Sequence, residues 1–144
     1  MIDKMKALCI KYREIIVYII VGGLTTLVGW GSKFLFNWLV FAGTAYPTAT
    51  QNTILSVVEN VCGIAFAYPT NRKWVFLSKN PNILSEMVSF VGSRLATMVL
   101  GWLLNLLFVN VLGITTWVAT VISGVVVVVG NYVLSKLFVF RNKT

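Results

Sequence analysis

The stretch Tyr68-Pro69-Thr70-Asn71-Arg72-Lys73-Trp74-Val75-Phe76 closes one long apolar run and faces the next. A proline near a helix end, a polar amide, two adjacent cations and an aromatic anchor mark a membrane helix where it meets water. Much the same order returns 64 positions later, as Tyr132-Val133-Leu134-Ser135-Lys136-Leu137-Phe138-Val139-Phe140. Tyrosine, cation, aromatic, valine and phenylalanine keep their places, which is the mark of an internal repeat. The pattern predicts two helical hairpins, each ending in one basic-aromatic box.

Composition sets the solvent. The 144 residues are 58% hydrophobic and 11% charged, with a mean hydropathy of +0.85. A soluble domain this small cannot hide so much apolar surface, so most of it must face lipid. The chain has no histidine, only four acids (Asp3, Glu14, Glu59, Glu86) and two cysteines, Cys9 and Cys62. A histidine-dependent triad is excluded, and ligands for a zinc cluster are too few. Neither a dinucleotide fingerprint nor a P-loop is present. No catalytic residue, metal or cofactor is therefore expected, and the protein reads as a non-enzyme. Cys9 precedes the first span and Cys62 lies inside the second, so no disulfide is expected. The net charge of +8 reads as basic flanks that set orientation and touch anionic lipid, not as a nucleic-acid surface.

The expected layout is one membrane domain over residues 1–144, all-α, with helices at about 15–41, 53–70, 86–112 and 117–137. Residues 1–14 form a cytoplasmic or interfacial segment, whose apolar and basic positions suit either a short helix in the interface or a basic tail. The first apolar run is long enough to span with tilt and too long for a signal-peptide core. Lys4, Lys6, Lys11 and Arg13 precede span one; Arg72, Lys73 and Lys79 follow span two; Lys136, Arg141 and Lys143 follow span four. The other two loops carry no Lys or Arg. This asymmetry predicts both termini in the cytoplasm. The first helices of the hairpins repeat too, since Thr25, Gly29 and Trp30 align with Thr97, Gly101 and Trp102. Both halves therefore share one orientation.

Three ionisable residues fall inside the spans: Lys33, Glu59 and Arg94. Each is costly in hydrocarbon and is expected to face the protein. Lys33 shares a helix face with Gly22, Thr26 and Gly29, and Arg94 shares one with Met98, Gly101 and Asn105. Counting rise from the cytoplasmic end puts Arg94 at roughly 12 Å, Glu59 at about 17 Å and Lys33 at about 27 Å. Lys33, Glu59 and Asn105 form the expected intramembrane polar path, with Glu59 pairing with Arg94 at rest. In the alternative, Glu59 pairs with one cation and Lys33 reaches for the outer interface. At the inner end, Asn71, Arg72, Lys73, Arg94 and Lys136 are the expected lipid-phosphate ligands.

The two boxes, the Val21-Gly22-Gly23 start of span one and Arg94 early in span three resemble the GtrA-like family, including its teichoic-acid glycosylation branch. The likeness covers roughly residues 15–140, and Asn71-Arg72-Lys73-Trp74-Val75-Phe76 is its most specific part. It implies a four-helix protein of the bacterial cytoplasmic membrane. Its partners would be a sugar carried on a polyprenyl phosphate such as undecaprenyl phosphate, and a membrane glycosyltransferase that loads it. Ala67, Asn71, Arg72, Val75, Phe76, Arg94 and Asn131 match positions that the family favours, and Asn131 thereby joins the phosphate-binding set. Trp74, Phe138 and Phe140 complete the two structural boxes. Many members have an acid where Gly29 stands and an asparagine where Ser135 stands, and the intramembrane acid here is Glu59 instead.

The function these readings imply is translocation of a polyprenyl-phosphate-linked sugar to the outer leaflet, for glycosylation of a wall or surface polysaccharide. Two rivals stay open. One is a non-transporting accessory that anchors or orients a glycosyltransferase. The other is a proton-coupled small-solute exporter using Glu59. Two hairpins make a narrow bundle, so a homo-oligomer is expected.

Overall fold

The computed structural model describes residues 12–140. They form four long helices: α1 (Arg13–Val40), α2 (Ala49–Thr70), α3 (Ile83–Leu106) and α4 (Thr116–Leu134). The last three each run on into a five-residue π-helical turn, Asn71–Val75, Leu107–Val111 and Ser135–Val139 respectively. No strand occurs among the described residues. All four helices are long and apolar enough to cross a membrane, and only 6–28% of each apolar window is buried within the protein. Such faces suit lipid, and helices satisfy their own backbone polar groups there. The all-α membrane class is thus what the structure shows. Residues 1–11 of the expected interfacial segment lie outside the described residues, while Arg13 and Glu14 belong to the first turn of α1.

The chain divides into two compact units, Met1–Leu77 and Ser78–Thr144. In unit 1, α1 and α2 approach closely where a glycine allows it. A methyl group on Gly29 would stand 3.2 Å from the Glu59 carbonyl oxygen and 3.3 Å from Glu59 Cγ. Small residues at such crossings let helix backbones approach without lipid between them. The loop over residues 41–48 is tightly built. The Asn37 carbonyl accepts from both Phe41 N and Gly43 N at 3.0 Å, with Ala42 and Gly43 left-handed at φ 53° and 68°. This is the hydrogen-bonded close of a helix C-terminus. Thr48 and Gln51 then form a reciprocal capping box. That box starts α2 at Ala49, four residues before the expected 53, because capped polar residues fill a first turn that hydropathy alone assigns to loop.

Unit 2 repeats the hairpin with a shorter connection, residues 112–115. The π-helical turn ending α3 is closed by Gly113 at φ 65° and by Ile114 N donating to Phe108 O at 2.9 Å. Gly101 is the close approach here, since an added methyl would stand 2.7 Å from Val127 Cγ2.

The boxes at the ends of α2 and α4 are the π-helical turns. Phe76 N donates to Asn71 O at 2.9 Å and Phe140 N to Ser135 O at 2.8 Å, each reaching back five residues. The wider turn adds a residue per revolution and re-aims the side chains beyond it. Pro69 is not what forces it, because Val133 occupies the matching place in the second box.

Candidate functional site

Each box has a buried half and an exposed half. In unit 1, Ala67, Asn71, Val75 and Phe76 are buried, and Phe76 packs on Tyr18 of α1 with ring centroids 6.3 Å apart. The Asn71 amide donates to Ala67 O at 2.7 Å, and the Thr70 hydroxyl donates to Phe66 O at 2.7 Å. These bonds hold the backbone where the helix widens. The cations point elsewhere. Arg72 is partly exposed, donating to the Tyr68 hydroxyl at 3.5 Å, and Lys73 is exposed beside Trp74. Arg13 donates to Trp74 O at 3.1 Å, so a third cation from α1 joins the same end. It carries no acid in its own first turn except Glu14.

Unit 2 follows the same plan. Ser135, Val139 and Phe140 are buried, and Phe140 packs on Phe90 of α3 at 5.7 Å, which is the counterpart of Phe76 on Tyr18. Phe138 is exposed. Lys136 donates to the Tyr132 hydroxyl at 3.2 Å, as Arg72 does to Tyr68. Asn131 is buried, and its Oδ1 accepts from the Thr97 hydroxyl at 2.6 Å. In the geometry described, Asn71 and Asn131 therefore brace the helix ends. The groups of the expected phosphate set that reach outward are Arg72, Lys73 and Lys136.

Inside the spans of unit 1, two of the expected charges meet. Glu59 is engaged by Lys33, whose Nζ stands 3.0 Å from Oε2, with the side chains 27% and 36% exposed. Glu59 thus pairs with a cation of its own hairpin, as in the alternative in which it pairs with one cation, and its height on α2 explains why. α2 continues through its π-helical turn to Val75, so Glu59 is sixteen residues from its end, just as Gly29 is sixteen from Arg13. A span ending at residue 70 would set Glu59 closer to the box; with the turn included, Lys33, one turn above Gly29, is within reach. Arg94 and Asn105 belong to α3 of unit 2. The Arg94 guanidinium lies 5.0 Å over the Phe90 ring, and Asn105 donates to the Thr120 hydroxyl at 3.3 Å. Of the expected polar path, the structure brings Lys33 and Glu59 together.

Sequence reasoning passed over Glu86, which is buried and accepts from the Ser78 hydroxyl at 2.6 Å. Ser78 in turn accepts from Asn80 N at 3.3 Å, so the start of α3 is tied to the segment before it. An acid at the fourth position of a helix, behind a serine-asparagine loop, is the available signal, since carboxylates favour that end of a helix.

A repeated pair of membrane hairpins, each ended by a cationic box on a buried aromatic anchor, defines a small multi-pass membrane protein. The family model for the GtrA/DPMS transmembrane domain matches residues 17–140, and the chain belongs to that family. It is 31% identical over 99% of its length, and 94% of the relative's, to the cell wall teichoic acid glycosylation protein GtcA of Listeria monocytogenes serovar 1/2a. The protein of the same name from Listeria innocua serovar 6a is 30% identical over 98% of this chain and 94% of its own. The uncharacterized membrane protein YwcD of Bacillus subtilis is 28% identical over 86% of this chain and 94% of its own. No solved structure matches. With four spanning helices and bacterial relatives across its whole length, the chain is a multi-pass bacterial membrane protein.

Proposed function

We propose that this protein carries a polyprenyl-phosphate-linked sugar from the cytoplasmic to the outer leaflet, where the sugar glycosylates a wall polymer. The observation that carries this reading is the doubled box. In each, a buried phenylalanine and a π-helical turn hold the helix end, while Arg72 and Lys73, or Lys136, lie on the less buried side of the box. Guanidinium and ammonium groups held at an interface attract lipid phosphate, at about 1 kcal/mol per cation. Membership of the GtrA/DPMS family and likeness to proteins named for teichoic acid glycosylation support the choice of sugar lipid as cargo. The ten-to-none cation asymmetry supports cytoplasmic termini, with the boxes on the inner face. Arg94 is the next cation along α3, and a homo-oligomer would give the head group a lined route past it.

No bond is made or broken in this reading. The prenyl chain stays in lipid, and the protein lowers the cost of moving a charged, hydroxylated head through hydrocarbon. Cells lacking the protein should lose polymer glycosylation while the loaded sugar lipid accumulates. If the sugar lipid fails to form at all, the protein is an accessory of the glycosyltransferase and the translocation reading falls.

A further inference from the structure

The α2 helix of unit 1 has two unlike sides. At the loop end of the hairpin, Lys33 of α1 and Asn52 of α2 line one open cavity of about 360 Å³, so both residues lie on the same side of unit 1. Ser56 and Asn60 follow Asn52 at steps of four along one ridge of α2, and all three are exposed. The ridge turned away from them carries Ile54, Val61 and Ala65, also exposed and wholly apolar. Only that second ridge suits lipid. Asn60 is eleven residues from the start of α2 at Ala49 and fifteen from the end of its π-helical turn at Val75, which puts it near mid-bilayer. The α2 span is accordingly the least apolar of the four.

The polar ridge has hydrogen bonds to spare. Asn60 spends one of its two amide N–H groups on Ser56 O at 2.8 Å. Its other N–H, its Oδ1, the Ser56 hydroxyl and the Asn52 amide bond to nothing among the described residues. An amide left bare in hydrocarbon is costly, and across membrane helices Asn and Ser side chains bond to one another. We propose that this ridge is the contact between two copies of the chain, packed α2 against α2 about a two-fold axis along the membrane normal. Copies that share one orientation in the bilayer are related by such an axis, and it sets one patch against the same patch. An amide is its own complement, so Asn60 Oδ1 of each copy accepts the spare N–H of the other. Beside the ridge, Lys33 and Glu59 are both partly exposed but engage at 3.0 Å; together they are neutral, so the copies do not repel. Unit 2 does not repeat the device. Gly124 stands 64 positions after Asn60, and the Thr120 hydroxyl, 64 after Ser56, is engaged by Asn105 and by Thr116 O. The matching ridge of α4 therefore has no amide to offer Asn60. The contact names a surface for the homo-oligomer and does not depend on the cargo.

The test uses the full chain in liposomes, with Cys9 and Cys62 replaced by serine. A single cysteine in place of Ser56 should give disulfide-linked dimers under a membrane-permeant oxidant, at lipid dilutions where one in place of Val61 gives none. Self-association is then read as energy transfer between donor- and acceptor-labelled chains over a series of lipid dilutions. Asn60→Leu removes only a bond within its own helix and suits lipid better, so thermal unfolding should hold while association weakens about tenfold. Asn60→Gln keeps the amide and should associate as the parent does. A chain that stays monomeric at every dilution, equal crosslinking through Val61, or association unmoved by Asn60→Leu overturns the proposal and leaves the ridge to the chain's own second hairpin or to another partner. Transport is not read at any step, so vesicles that show no translocation defeat that reading and leave this one standing.

Discussion

Arg72 and Lys73 directly follow the buried amide of Asn71, and this adjacency lets one short stretch both anchor a helix and present charge. Replacing both cations with glutamine should leave the fold intact, because neither side chain is buried. It should remove about 2 kcal/mol of attraction to lipid phosphate, or roughly thirtyfold, read as binding of a short prenyl phosphate. Unchanged binding would reduce the box to an anchor. Arg94 is a second residue whose shape matters as well as its charge. Arg94→Lys keeps the cation but loses the planar group that lies over Phe90 and can grip phosphate through two N–H bonds. Translocation should fall several-fold while thermal stability changes by no more than about 1 kcal/mol. Lys33 and Glu59 behave as a unit. Breaking a fully buried pair costs about 3–5 kcal/mol, and this pair, roughly a third exposed, should cost less. Lys33→Met should lower the melting temperature, and adding Glu59→Gln should restore it by removing the orphaned carboxylate. A double variant no more stable than the single would show that the pair does not brace unit 1.

At the scale of the helices, close approach at glycine organises both hairpins. Gly101→Ala should destabilise unit 2 by about 1–3 kcal/mol, as overpacking does, because the new methyl meets Val127 Cγ2 at 2.7 Å. Val127→Ala should relieve it in the same chain, measured as denaturation temperature in detergent; no rescue would place the strain elsewhere. The repeat, the four spans and the aromatic anchors were legible because each is a pattern of residue types along the chain. Phe76 and Phe140 announced their matching roles by position alone. The capping box at Thr48 and Gln51 is a local signal too, but hydropathy alone does not see it and begins α2 at about residue 53. The π-helical turns were not legible. Two of them coincide with the packing of Phe76 on Tyr18 and of Phe140 on Phe90, tertiary contacts that no local signal carries. The first of the turns lengthens α2 beyond residue 70 and sets Glu59 level with Gly29, one turn from Lys33. The cavity at the loop end depends on how residues 41–48 fold back on Asn37, which is equally invisible to residue counting.

For the whole molecule, the cation asymmetry is a statement about orientation. With Cys9 and Cys62 replaced by serine, cysteines placed at Ala45 and Thr115 should react with an impermeant thiol reagent outside intact cells. One at Asn82, an exposed position before α3, should react only after the membrane is opened. Labelling at Asn82 from outside would invert the molecule and move both boxes to the outer face. Movement of a sugar lipid across a bilayer is tested in vesicles holding the purified protein and a labelled polyprenyl-phosphate sugar in both leaflets. A periodate reagent confined to the outside should consume about half the label without protein. Consumption should be nearly complete with the parent chain, and slower with Arg72 and Lys73 replaced by glutamine. Consumption that stops at half in vesicles containing the folded parent protein would contradict the account.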